Sequence, residues 1–408
     1  MTPTRTGTRR RPRWTSVAAA FAGVAIAATA LAAPASAGPP VPASGTLTWF
    51  VNPAEPQYDG TAAGTYASAE RSELTSIEEF PAERLESPVN TVVAELDATI
   101  PDEAQAAVDV RGLRADGMWS EWTEITPEAA AVLPEATTSV QTRLVLITPE
   151  GTQGADVDRI DLTAWNAGNT GNTVATRSVQ AAASTYRVFA TREGLVGGTT
   201  ANGHVIVSRD HFVALPSRRG LANKGSGNYT VQVCTSDNAR CEWAPVWDVG
   251  PWNTKDDYWN ADREMWTDLP QGKPQAQAAY QDGYNGGKDQ FGRRVANPAG
   301  IDLADGTFWD GLKLADNAWV NVTYEWTGSG PWGTIATEST PLNVRSGPQG
   351  SASQVGLAAR HAQVRIECQV TGASVTGTQG TSNLWYRLAS GKYVARAYVR
   401  IGSAPGAC

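Results

Sequence analysis

Apolar and polar residues alternate along most of this chain. Residues 108–113, 141–147 and 157–164 mix apolar and polar residues in strand-like runs, with turn-forming residues between them. A period of two predicts half-buried β-strands. The acidic, Ala/Pro-rich stretches 101–106 and 126–136 lack that period and are expected as loops or single helical turns. Residues 44–165 therefore predict an antiparallel β-sandwich. Within it, the stretch from Gly112 to Trp122 predicts a hairpin that carries Trp119 and Trp122. Residues 166–185 are rich in Asn, Gly, Thr, Ala and Ser and nearly free of charge, so they predict a flexible linker. A second β-rich domain is expected over 186–327 and a third over 336–402, joined by a short Gly/Ser/Trp stretch. The fold class is thus mainly β.

Length and charge refine this picture. A chain of 408 residues exceeds one compact core and implies two or three domains. The formal net charge of −8 is unevenly spread. Residues 38–165 hold 22 acidic and 6 basic residues, whereas residues 335–408 hold 2 acidic and 7 basic ones. The acidic balance argues against a nucleic-acid partner. The basic end suggests an anionic partner there or a solvated surface. At the other end, Arg9, Arg10, Arg11 and Arg13 precede an apolar run over 17–33 and the small-residue triplet Ala35-Ser36-Ala37. This is the pattern of a cleaved export signal over residues 1–37. The mature chain is expected outside the cell, without a membrane anchor, and removal of the signal shifts the charge from −8 to −13. Pro12 and Arg13 stand where a twin-arginine signal wants apolar residues, which leaves the export route open.

Four cysteines allow three pairings. Cys234–Cys241 with Cys368–Cys408 keeps each bridge inside one domain. A zinc site is the alternative, but neither CxxC spacing nor a nearby histidine supports it. No metal or cofactor is expected.

The central segment carries the sharpest motifs. Thr199-Thr200-Ala201-Asn202-Gly203-His204 comes first, then Val213-Ala214-Leu215-Pro216, then Val246-Trp247-Asp248-Val249-Gly250-Pro251-Trp252, then Ile301-Asp302-Leu303-Ala304-Asp305. In that order they resemble the six-stranded double-psi β-barrel of the rare lipoprotein A family, which is related to expansins. The resemblance implies a polysaccharide-directed groove and assigns Asp248 the role of general acid/base in a lytic transglycosylase reaction. A carboxyl desolvated by Trp247 and Trp252 would hold a proton near neutral pH. The alternative is a structural aspartate that bonds the backbone of the Gly-Pro turn. Asp302 is the second carboxylate of the groove or a cap of the following turn, and Asp305 could cap a helix over 308–314. Asn202 and His204 lie on the rim loop, where His204 could assist acid/base work. His204 stands where the family has Glu, His211 falls one residue early, and Val249 replaces an arginine.

Between the two best motifs, residues 253–298 form an insertion rich in aromatics, Asp and Asn, including Trp259 and Tyr284. Such a composition suits sugar recognition, and it equally suits a large ordered loop that packs its own aromatics. Asp282, Asn285 and Asp289 miss the spacing of a calcium loop. In the last segment, Leu342-Asn343-Val344-Arg345-Ser346-Gly347-Pro348 opens a series of short strands that resembles the bacterial SH3 domain. That resemblance implies a groove for wall peptides, with Trp385, Tyr386, Tyr393 and Tyr398 as candidates for the groove or the core. The N-terminal sandwich resembles those carried by secreted actinobacterial amidases and peptidases. Together these features lead to the expectation of a secreted protein that binds peptidoglycan or another wall polymer. A lytic transglycosylase using Asp248 and a secreted protein-binding module or inhibitor are the alternatives.

Overall fold

The computed structural model describes residues 41–42, 45–53, 66–67, 73–168 and 182–408. The expected export signal and all but the ends of the expected linker lie outside the described residues. The N-terminal layer contains β1 (Leu47–Val51), β2 (Tyr66–Ala67), β3 (Glu73–Glu79), β4 (Glu83–Thr99), β5 (Gln105–Gly112), β6 (Thr123–Ile125), β7 (Ala131–Pro149) and β8 (Asp156–Trp165). They run in the order β1-β8-β4-β7-β3-β2, with β5 between β6 and β7. The long β7 pairs with β4 through its first half and with β3 and β5 through its second. The sheet therefore folds across itself and buries Val92, Val108, Val140, Leu144, Ile160 and Leu162. One expectation is corrected here. From Ala131 onward the stretch 126–136 is strand, because Ala131 and Val132 pair with Val92 and Thr91 and bury Ala131 and Leu133.

The central unit is a closed barrel of six strands. These are β9 (Ser184–Arg192), β10 (Val213–Leu215), β11 (Thr230–Thr235), β12 (Cys241–Val249), β13 (Ala299–Leu303) and β14 (Ala318–Tyr324). The circuit runs β10-β13-β9-β14-β11-β12 and closes back on β10. Contacts β10–β12 and β13–β9 are parallel and the others antiparallel. Each strand sends alternate residues inward: Val188 and Ala190, Val213 and Leu215, Val231 and Val233, Ala244 and Val246, Ile301 and Leu303, Val320 and Val322. This is the period of two read from the sequence, closed on itself. The first strand starts two residues earlier than expected, since Ser184 and Thr185 register with Tyr324 and Thr323.

The insertion over 253–298 is an ordered cap containing α1 (Gln275–Asp282). Asp256 and Arg263 form a buried ion pair, and the Gln275 N–H donates to Asp256 at 2.7 Å. Burial raises the Asp256 carboxyl to about 6 despite the opposing Arg263. Tyr324 donates to the Tyr258 hydroxyl at 2.6 Å, and Tyr258 to the Gly300 carbonyl at 2.8 Å, which locks the cap to the barrel.

The C-terminal unit holds β15 (Trp332–Ile335), β16 (Leu342–Arg345), β17 (Gln354–Ala358), β18 (Gln363–Arg365), β19 (Cys368–Gly377), β20 (Gly380–Ala389), β21 (Lys392–Ala395) and β22 (Val399–Ile401). It does not stand apart. β12 pairs in parallel with β17, so the barrel sheet continues into this unit as eleven strands. A Cβ at Gly356 would lie 1.8 Å from the Cys241 carbonyl oxygen, so glycine is what lets these strands meet. Both disulfides, Cys234–Cys241 and Cys368–Cys408, join the locally expected pairs.

The sandwich is fused to the barrel as well. Trp122 leaves the hairpin after β5 and enters the barrel core cluster, 1% exposed. The Arg111 and Arg143 guanidinium groups lie 4.2 and 4.4 Å from its ring centre. Glu121 accepts the indole N–H groups of Trp259 and Trp326 at 2.7 and 2.6 Å. The described residues thus pack as one compact unit.

Candidate functional site: a carboxylate row on the barrel

Strand register assembles the site. Ala214 on β10 is flanked by Asp248 on β12 and by Asp302 on β13, and Asp302 in turn registers with Thr191 on β9. Neighbouring residues of these strands, Val213, Leu215, Ile301, Leu303 and Ala190, point into the barrel, so Ala214, Asp302 and Thr191 face outward. Asp248 joins them only because of a bulge. Val213 pairs with Val246 but Ala214 with Asp248, which leaves Trp247 as the extra residue. Without it, Asp248 would share the inward face of Val246. Alanine at 214 leaves room for a carboxylate on either side.

A fourth residue, absent from the sequence-based candidates, completes the row. Two positions beyond Thr191, Glu193 returns to the same face, and its N–H donates to the Leu303 carbonyl at 2.9 Å. Both Glu193 carboxyl oxygens are buried, and no N–H group donates to them; their neighbour is the Asp248 carboxyl. Burial raises the Glu193 carboxyl well above the ordinary glutamate range, and the charges of Asp248, Asp302 and Asp305 add to the effect. The Glu193 carboxyl is thus set against that of Asp248 at the end of the row. Its sequence context, Arg192-Glu193-Gly194 just after an alternating run, hints at a strand end and gives no sign of this role.

The remaining partners fix the row in place. Asp248 Oδ1 accepts from the Ala201 and Val249 N–H groups, each at 2.8 Å. The expected backbone-bonding role of Asp248 is therefore present, and it coexists with the carboxyl contact. Thr191 donates its hydroxyl to Asp302 Oδ1. Asp302 Oδ2 lies 3.9 Å from the Cβ position of Gly250, so the Gly250-Pro251-Trp252 turn runs beside this carboxylate. Asp305 pairs with Arg192 at 2.7 Å. It caps no helix: the turn that follows is a single π turn, Thr307–Gly311, with no side-chain cap.

The rim loop is held by its own polar groups. Asn202 is 7% exposed, donates to the Ala222 carbonyl at 3.0 Å and accepts from Thr200 at 2.8 Å. His204 Nε2 contacts Asp210 at 2.8 Å, and its ring packs 4.8 Å from Trp247, centre to centre. Trp247 stacks on Phe212 and donates to the Ser226 carbonyl at 2.8 Å. Trp252 is half-buried and donates to Asn297 at 3.1 Å. The rim loop reaches the row through the Ala201 N–H on Asp248, while Trp252 packs on Ala276, Ala279 and Val295 of the cap.

Other candidates lie elsewhere. Trp259 is 1% exposed, with its N–H on Glu121, and has no face for a sugar. Tyr284 donates to Asp268 at 2.7 Å and sits edge-on to Trp266 on the cap surface. In the C-terminal unit Trp385 and Tyr386 are core residues, while Tyr393 and Tyr398 are half-buried. Among the described residues, no group of three or more His, Cys, Asp or Glu is arranged to hold a metal ion, and no helix is long and apolar enough to cross a membrane.

Fold and site define a mainly-β protein whose closed barrel gathers carboxylates in one row on its outer face. Residues 184–323, the whole barrel circuit, match a family described as a domain of unknown function, DUF8814. A stretch of 79 residues is 39% identical to the uncharacterized protein YraI of Bacillus subtilis (strain 168); it covers 17% of this chain and 66% of that protein. No solved structure matches.

Proposed function

We propose that this chain is a secreted protein of the cell wall whose central barrel acts on a polymeric glycan by acid chemistry at Asp248. The observation that carries the reading is the Glu193–Asp248 carboxyl contact beside Asp302. A carboxyl raised by burial beside a second carboxyl is suited to giving a proton. Cleavage without water requires such a group. In this scheme a proton passes from the Glu193–Asp248 pair to the glycosidic oxygen as the C–O bond breaks. The sugar's own 6-hydroxyl then closes onto the anomeric carbon, and its proton returns to the pair. Every atom of the substrate is retained, in an anhydro end and a free hydroxyl. Half-buried Trp247 and Trp252 supply apolar ring surface for the sugar. The likeness of the last segment to bacterial SH3 domains supports wall targeting, and the two disulfides fit an oxidising compartment.

Incubation of the full chain with peptidoglycan sacculi, beside Asp248→Asn, tests this. Release of anhydro-muropeptides by the parent and its loss in the variant support the reading. Binding to sacculi without release would leave a non-covalent wall-binding protein. Failure to bind wall at all would favour a module directed at another protein.

A further inference from the structure

Next to the carboxylate row lies a second constellation that the proposed chemistry does not use. The π turn after Asp305 buries Phe308 and Leu312 to 2% exposure each, yet leaves Trp309 38% exposed. The guanidinium groups of Arg192 and Arg209 both lie 4.7 Å from the Trp309 ring centre. Their side chains remain 42% and 51% exposed. Arg192 pairs with Asp305 at 2.7 Å and Arg209 with Asp310 at 3.5 Å, so each fork keeps donors to spare.

Two features show that Arg209 is held in place. Its φ of 66° is left-handed, a conformation that disfavours a long side chain and persists only where the surroundings impose it. The surroundings here are Gly306, whose N–H donates to the Asp210 carbonyl at 2.8 Å. A Cβ at Gly306 would lie 2.4 Å from the Arg209 carbonyl oxygen. The two segments are therefore clamped at the backbone, and the Arg209 guanidinium lies over the Trp309 indole.

Electrostatics gives this arrangement a direction. Asp248, Asp302 and Asp305 disfavour an anion along the row. Arg192 is tied to the row through Asp305, which pairs with it at 2.7 Å and whose charge also acts on Glu193. We propose that Arg192, Arg209 and Trp309 form a subsite for a carboxylate-bearing sugar unit of the glycan, and that this subsite orients the polymer across the row. Planar guanidinium forks match a carboxylate in a way that a solvated lysine does not. The exposed indole edge gives the sugar an apolar contact. This inference rests on the glycan reading above and adds which chemical class of glycan is taken.

The test is calorimetric titration of the full chain with glycan strands stripped of peptide, whose sugar carboxylates are free. The same strands with those carboxyls reduced to alcohols form the second arm. The expected result is binding at least about tenfold weaker to the reduced strands, with the same loss caused by Arg209→Gln on carboxylated strands and no further loss on reduced ones. Arg209→Lys should recover only part of the affinity. Circular dichroism confirms that the variants are folded. Equal affinity for both strands, or indifference to Arg209→Gln, overturns the inference while leaving anhydro-product release intact. So does Arg209-dependent binding of a short Asp/Ala peptide in place of the strands. Carboxylate-dependent binding with no cleavage by the parent would instead retain the subsite and refute the acid chemistry.

Discussion

Replacement of Trp122 by alanine should destabilise the sandwich and the barrel together. The side chain is 1% exposed, belongs to the barrel core although it comes from the N-terminal layer, and donates to the Leu221 carbonyl at 3.2 Å. Removing a buried tryptophan from a packed core costs about 3–5 kcal/mol through lost transfer energy and the cavity left behind. The two guanidinium groups against its ring add to this. Arg111 and Arg143 are 1% and 0% exposed, and each desolvated cation–π contact contributes on the order of 1 kcal/mol. Burial already pushes the Arg111 guanidinium below its usual value, so loss of the indole leaves a charge that is harder to keep in place. The total comes to about 5–7 kcal/mol, a large part of the stability of an ordinary protein. Guanidinium-chloride unfolding of the full chain, followed by far-ultraviolet circular dichroism, gives the measurement. The parent should show one transition, and Trp122→Ala should lower its midpoint with the slope unchanged. A loss below about 2 kcal/mol, or a variant in which only one part of the signal moves, would refute the argument that one indole ties two layers into one core.

Two further outcomes follow from the site and its surroundings. Folded Glu193 keeps a proton that an unfolded glutamate loses near 4.5, so its contribution to stability is fully present below that pH and declines as pH rises toward the raised native value. Glu193→Gln supplies an amide that donates to Asp248 at every pH; the variant should lose that decline and be the more stable of the two at neutral pH, and coincident pH profiles in urea unfolding would disprove it. Gly311→Ala should lower the melting temperature, because the new Cβ would lie 1.4 Å from Oε2 of Glu242, itself fully buried and held by His211 at 2.8 Å. Overpacking of this kind costs about 1–3 kcal/mol, and an unchanged melting curve would show that the Glu242 pocket yields freely.

The alternating pattern by itself determined that this chain is built of strands, because a residue's side of a sheet depends only on its parity. Spacing likewise determined the cysteine pairs, since each bridge closes a local loop. Asp248 and Asp302 could be singled out from short motifs, but their setting could not. Trp247 becomes a bulge only when β12 meets β10, and that one extra residue turns Asp248 to the outer face. The Glu193 carboxyl is raised by burial and by charges that lie far along the chain and reach it through barrel closure. Trp259 looked like a sugar platform by composition, yet Glu121 from another layer takes its N–H and buries it. The stretch 126–136 looked like a loop until β4 offered it a partner. Local sequence encodes propensity and parity; burial, shifted acidities and the fusion of layers arise from contacts between distant segments, and only the closed tertiary structure sets those.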